Sequence, residues 1–108
     1  EDRLVSAAVR AIKAKEGGVR IKELAEDLCI SQSRFEKRFR NAVGISPKGF
    51  SSIVRFQKAV RELSASTTLT EAAQRAGYFD QAHFIKDFRS FSGQTPERFL
   101  RTHAGQRQ

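Results

Sequence analysis

An all-α fold of seven helices is predicted by three observations. Turn signals cut the chain into helical lengths, no segment between them alternates with strand period, and an internal repeat has a helix-turn-helix as its unit. The turn signals are Gly17-Gly18, Gly44-Ile45-Ser46-Pro47, Ser64-Ala65-Ser66-Thr67-Thr68, Gly77 and Gly93-Gln94-Thr95-Pro96. In two of them a Ser or Thr stands directly before a Pro, the pattern of an N-cap followed by a proline in the first helical position. Helices are therefore expected near 2–15, 20–28, 32–43, 47–64, 69–76, 81–91 and 96–103.

The repeat organises these helices in pairs. Ile21-Lys22-Glu23-Leu24-Ala25 aligns with Leu69-Thr70-Glu71-Ala72-Ala73 at an offset of 48, and the turn residues Cys29 and Gly77 follow at equal distance. Beyond the turn the offset becomes 49. Ser31 then matches Asp80, Phe35 Phe84, Lys37 Lys86, Phe39 Phe88 and Arg40 Arg89, and the alignment runs on through Gly44, Pro47 and Phe50 onto Gly93, Pro96 and Phe99. Each copy reads as a short helix, a tight turn, a Ser or Asp suited to N-capping, and a second helix.

At about 100° per residue, the second helix of the first copy turns Phe35, Phe39, Arg38, Ala42 and Val43 to one side. Ser33, Lys37 and Arg40 point to the other, flanked by Arg34 and Glu36. In the second copy Phe84, Phe88 and Phe91 are expected inside and Ala82, Lys86 and Arg89 outside, with Ile85 at the edge. The phenylalanines at four-residue spacing are core. A basic outer face on one helix is ordinary solvated charge, but the same pair at matching positions of two copies points to a polyanion. The helix near 47–64 carries two apolar stripes, Phe50, Ile53, Val54 and Gln57, then Phe56, Ala59, Val60 and Leu63, so one helix is expected to serve two cores. At about 27 Å long, it is a spacer of the right order for the roughly 34 Å repeat of successive major grooves.

The composition agrees. Of 108 residues, 20 are Lys or Arg and 12 Asp or Glu, a formal charge of +8, while 39% are hydrophobic and nine of the aromatics are Phe. That is enough apolar matter for one small folded domain. The charge is concentrated. Residues 1–30 are neutral, residues 31–62 carry eight basic against two acidic groups, and residues 63–108 carry six against four. No apolar run approaches the roughly 20 residues of a membrane span, there is no signal-peptide pattern, and the single Cys29 forms no internal disulfide, so a soluble protein of a reducing cytoplasm is expected. With no Met in the chain, Glu1 is not a translation start, and a domain taken from a longer protein is expected.

The run Leu24-Ala25-x-x-Leu28-Cys29-Ile30-Ser31-x-Ser33-x-Phe35-x-Lys37-x-Phe39-Arg40-x-x-x-Gly44-Ile45-Ser46-Pro47, continued by Arg55-x-x-x-Ala59 and Leu63, resembles the first half of the AraC/XylS-type DNA-binding domain. The family's signature second half is matched by Glu71-x-Ala73-x-x-x-Gly77-Tyr78-x-Asp80-Gln81-x-His83-Phe84-x-Lys86-x-Phe88-Arg89-x-x-x-Gly93-x-Thr95-Pro96-x-x-Phe99. The resemblance covers about 4–103. It implies a single domain over 1–108, with helix-turn-helix subdomains at about 1–46 and 65–108 joined by a connecting helix at about 47–64. It further implies that the helices at about 32–43 and 81–91 enter successive major grooves, and that an effector-sensing or dimerising domain precedes the module. The chain departs from the family pattern at Ala72, where Ile or Val is usual, at Phe79, usually a small residue, which either wedges into the core or lies exposed, and at Leu100, where Arg is frequent.

Donor and acceptor chemistry then assigns candidate base contacts. Gln32 and Ser33 lie at the end of the recognition helix that approaches base edges. Lys37 can donate to guanine or meet a phosphate, and Glu36 can accept from cytosine or remain a surface residue. In the second copy Gln81 suits adenine, Ala82 and Ile85 a thymine methyl, and Lys86 guanine or phosphate. Candidate phosphate contacts are Arg34, Arg40, Ser46, Lys48, Arg55, Arg89, Thr95 and Arg98, with the proline-led helix starts as possible anion sites or simple caps. With about 6–10 such contacts, affinity is expected to fall by roughly 10³–10⁵ between about 50 and 200 mM salt. The fewer polar readers of the second copy imply that the first discriminates sequence and the second supplies affinity.

His83 reads as a helix-packing residue and Cys29 as a small core residue, and with His103 they give no metal-site spacing. No nucleophile-base pair or phosphate loop is present, so neither an enzyme nor a cofactor is expected. The expected partner is double-stranded DNA, with RNA polymerase reached through the full-length regulator and no membrane contact. The isolated domain is expected to be monomeric and the full-length protein dimeric, in the bacterial cytoplasm and nucleoid-associated. A basic helical module for RNA or an anionic surface, or a protein-interaction module using Phe79, is the alternative.

Overall fold

The computed structural model describes residues 2–103, so the ends of the two expected subdomains, at 1 and 104–108, lie outside the described residues. Among those described there are seven helices and no strand: α1 Arg3–Ala14, α2 Ile21–Asp27, α3 Gln32–Val43, α4 Pro47–Ala65, α5 Leu69–Arg75, α6 Gln81–Ser92 and α7 Pro96–His103. Each end falls within one residue of the position predicted from turn signals. The chain forms two compact units, Glu1–Arg55 and Phe56–Gln108, and the division falls inside α4.

In the first unit α1 starts at Asp2, whose carboxylate accepts from the amides of Leu4 at 3.1 Å and Val5 at 3.2 Å. Val5, Ala8 and Ile12 line its buried face and meet Leu24 and Ala25 of α2 and Phe35 and Phe39 of α3. Phe39 lies edge-on to Phe35 and to Phe50 of α4, both at 5.8 Å between ring centres, a favoured aromatic geometry. Gly17, at φ +82°, lets α4 approach: a Cβ there would lie 2.5 Å from the Ser51 carbonyl oxygen. The buried Ser51 hydroxyl donates to the Gly17 carbonyl at 2.8 Å.

The second unit is built around Phe84 and Phe88 of α6, with Tyr78, Ala59 and Leu63 of α4, and Ala72, Ala73 and Ala76 of the α5 region. Ala72, where the family usually has a larger residue, is fully buried in this cluster. Phe56 and Phe99 lie 5.0 and 5.1 Å from Phe88, and Leu69 and Leu100 pack against the same cluster. Leu100, which departs from the family pattern, thus serves the core.

Several expectations fail for local reasons. Phe50 and Val54 pack on the first core, but Gln57 is exposed because the first unit ends before it, and Ile53, at the edge of the stripe, is 40% exposed. Ala42 is exposed. Phe91 is likewise 40% exposed, covered on one face by the stacked ring of Phe56 at 5.4 Å. Cys29 is exposed, not core, because the turn demands a left-handed residue that directs its side chain outward.

That turn is made alike in both units. Cys29 has φ 59° and Gly77 φ 87°. The amide of Ile30 donates to the Ala25 carbonyl at 3.1 Å and that of Tyr78 to the Ala73 carbonyl at 3.0 Å. A side chain in this region costs about 1–2 kcal/mol. Cys29→Gly, which gives up some unfolded-state restriction in return, is expected to stabilise the chain by up to about 1 kcal/mol, and Gly77→Ala to destabilise it by about 1–2 kcal/mol. Urea denaturation of both variants checks this, and a Cys29→Gly protein less stable than wild type would contradict it.

Candidate nucleic-acid interface

The buried Phe35 and Phe39 fix the roll of α3, which leaves Gln32, Ser33, Arg34, Lys37 and Arg40 exposed and Glu36 partly so. Ser31 caps the helix, its hydroxyl oxygen accepting from the Arg34 amide at 3.3 Å. Gln32 Nε2 donates to Glu36 Oε2 at 3.0 Å, so these two candidate readers are tied to each other one turn apart. Arg38, placed on the packing side by its wheel position, reaches Asp2 instead at 2.7 Å, and so locks α3 to the start of α1.

Beside the start of α3 lies a cavity of about 330 Å³ lined by Arg20 and Lys22 at the start of α2, Gln32 of α3, and Lys48, Ser51, Ser52 and Arg55 of α4. Four cationic side chains from two segments thus surround one depression, a shape and charge suited to a phosphate. Lys48, Arg55 and Gln32 were candidates from sequence, whereas Arg20 and Lys22 were not. The available signal was the repeat, which pairs Lys22 with Thr70.

The two proline-led helix starts are capped. Ser46 Oγ accepts from the Gly49 amide at 3.0 Å, and Thr95 Oγ1 from the Arg98 amide at 3.2 Å.

In the second unit Asp80 caps α6, accepting from the His83 amide at 2.8 Å. Gln81, Ala82, Lys86 and Arg89 are exposed and Ile85 is half-buried. Ala82, Ile85, Lys86 and Arg89, with Ser90 and Gly93, line an open depression on the outer face of the helix. Gln81 Oε1 accepts from the Thr70 hydroxyl of α5 at 3.0 Å, a contact that no motif along the chain signals. His83 is exposed, its ring edge-on to Tyr78 at 5.1 Å between centres. Phe79, directly before the cap, is 91% exposed and so does not wedge into the core. Arg98 is exposed on α7.

Other chemistries find little material. Among the described residues no three His, Cys, Asp or Glu side chains could hold a metal ion, and no helix is long and apolar enough to cross a membrane.

Two compact units, each with a helix-turn-helix and a basic outward face on its second helix, define a nucleic-acid-reading module. The family model described as a helix-turn-helix domain matches residues 24–102. An uncharacterised HTH-type transcriptional regulator of Haemophilus influenzae is 28% identical over 103 residues, which are 94% of this chain and 35% of that protein. The crystal structure of a probable AraC family transcriptional regulator from Rhodopseudomonas palustris is 30% identical, covers 94% of this chain and 97% of its own, and superposes with a TM-score of 0.74. The DNA-binding domain of AdpA, solved in complex with a target DNA, shares the fold at a TM-score of 0.82 and 21% identity, over 98% of this chain and 97% of that one. The chain belongs to the AraC-type helix-turn-helix family. It is a sequence-specific DNA-binding domain with two helix-turn-helix units.

The Arg38 hydrogen bond holds the Asp2 carboxyl below its ordinary range, and Asp2 in turn raises the Arg38 guanidinium. A depressed carboxyl stabilises the fold above its unfolded value of about 3.9 and loses that contribution as pH falls through the lower folded value. The stability difference between wild type and Asp2→Asn, measured in urea from pH 6 downward, is therefore expected to narrow below about pH 4. A difference constant across that range would contradict the pairing.

Proposed function

We propose that this chain is the operator-reading part of a longer bacterial regulator, with α3 and α6 entering successive major grooves of one duplex. The reading is carried by the matched pairs Lys37/Arg40 and Lys86/Arg89, all exposed, on helices whose opposite faces are pinned by buried phenylalanines. Gln32, Ser33, Glu36 and Lys37 read bases in the first unit. Gln81, Ala82, Ile85 and Lys86 do so in the second, where Ala82 and Ile85 suit thymine methyl groups. Arg34, Arg40, Ser46, Lys48, Arg55, Arg89, Thr95 and Arg98 meet phosphates, and the cavity beside α3 adds Arg20 and Lys22 to that set.

Because the chain spans 35% of the Haemophilus influenzae relative's length, effector response, dimerisation and contact with RNA polymerase are assigned to the remainder of such a regulator. The isolated domain acts as a monomer on nucleoid DNA in the cytoplasm. The single domain is read as two subdomains sharing α4 as their connection.

The first unit, richer in polar readers, supplies most of the discrimination, and the second supplies affinity for any duplex. Lys37→Ala and Lys86→Ala, titrated against one selected duplex and one scrambled duplex, test this division. Lys37→Ala is expected to lower the ratio of specific to non-specific affinity by about tenfold, within the roughly 1–3 kcal/mol of a good base contact. Lys86→Ala is expected to weaken both duplexes alike. Equal relaxation of sequence preference in the two variants would overturn it.

A further inference from the structure

We propose that Thr70 is a positioning residue for base reading, holding the Gln81 amide ready for an adenine edge in the major groove. The proposal rests on the reading above that the start of α6 meets base edges. Its observation is the bond from Thr70 Oγ1 to Gln81 Oε1, 3.0 Å long, between exposed side chains of two different helices. Neither group is buried, so no burial requirement explains the contact, and an exposed hydrogen bond adds little to stability. What it changes is conformational freedom. A glutamine side chain is rotamer-rich and loses that freedom on engaging a base, so a tether present before binding removes part of the loss.

The tether has a firm anchor. Thr70 is the second residue of α5, whose start is fixed by the Thr68 hydroxyl oxygen accepting from the Glu71 amide and by the Glu71 carboxylate accepting from the Thr67 amide, both at 3.0 Å. Thr70 is itself β-branched and restricted at χ1. With the Thr70 hydroxyl on one lone pair, Gln81 keeps its second lone pair and both Nε2 protons. That acceptor and donor match the N6 amino group and N7 of adenine.

The first unit sets its glutamine differently. Lys22, the repeat counterpart of Thr70, makes no such bond among the described residues, and Gln32 instead gives an Nε2 proton to Glu36 within its own helix. Adenine reading through a cross-helix tether therefore belongs to the second unit.

The test takes wild type, Gln81→Ala, Thr70→Val and Thr70→Ser through selection from a randomised duplex pool at about physiological salt, with circular dichroism melting on each. Valine keeps the shape of threonine without the hydroxyl, and serine keeps the hydroxyl. Gln81→Ala is expected to relax one position that wild type fills with adenine. Thr70→Val is expected to lower the adenine preference at that same position by about three- to tenfold, the range of one hydrogen bond. Thr70→Ser should restore it, and Thr70→Val should have no further effect in a Gln81→Ala background. Relaxation by Gln81→Ala with an unchanged Thr70→Val profile overturns the tether alone. So does a Thr70→Val loss spread evenly over all positions. An unchanged Gln81→Ala profile, or a relaxed position that selects another base, removes the adenine reader and the proposal with it.

Discussion

The structure depends on one packing constraint made twice: a pair of phenylalanines four residues apart, at most 1% exposed, on the second helix of each unit. Phe35 and Phe39, and Phe84 and Phe88, set the rotation of α3 and α6 about their own axes. Burying each ring is worth about 1.5–3 kcal/mol. Once the pair is fixed, every other position on the helix is assigned to solvent or core, and Lys37, Arg40, Lys86 and Arg89 are turned outward. The orientation of the outer face is thus set by residues buried on the opposite side of each helix.

The two copies reach the same geometry by different chemistry. The first closes its turn on Cys29 in a left-handed conformation, where the second has Gly77. The first gathers Arg20, Lys22, Lys48 and Arg55 around one depression, while the outer face of α6 presents Ala82 and Ile85 between fewer charges. A duplicated scaffold with unequal surfaces fits an asymmetric site better than a repeated one.

Much of this was legible in the sequence because it is local. Caps, proline-led starts and the offset repeat placed all seven helices, and wheel geometry separated the buried phenylalanines from the outward lysines and arginines. What escaped was tertiary. Gln57 lies on the correct side of its helix but beyond the end of the first unit, and Cys29 is apolar but occupies a backbone conformation that points it away from the core. The pairing of Asp2 with Arg38 spans 36 positions, and that of Thr70 with Gln81 joins two helices across a turn. No pattern along the chain records either one, although the repeat had already put Thr70 level with Lys22.

The central claim is that both helix-turn-helix units read one duplex together. Selection of bound sequences from a random duplex pool by the intact chain tests it most directly. The account predicts an enriched asymmetric site with two unlike motifs about one helical turn apart. A single short motif, a palindrome of identical halves, or no enrichment would contradict it.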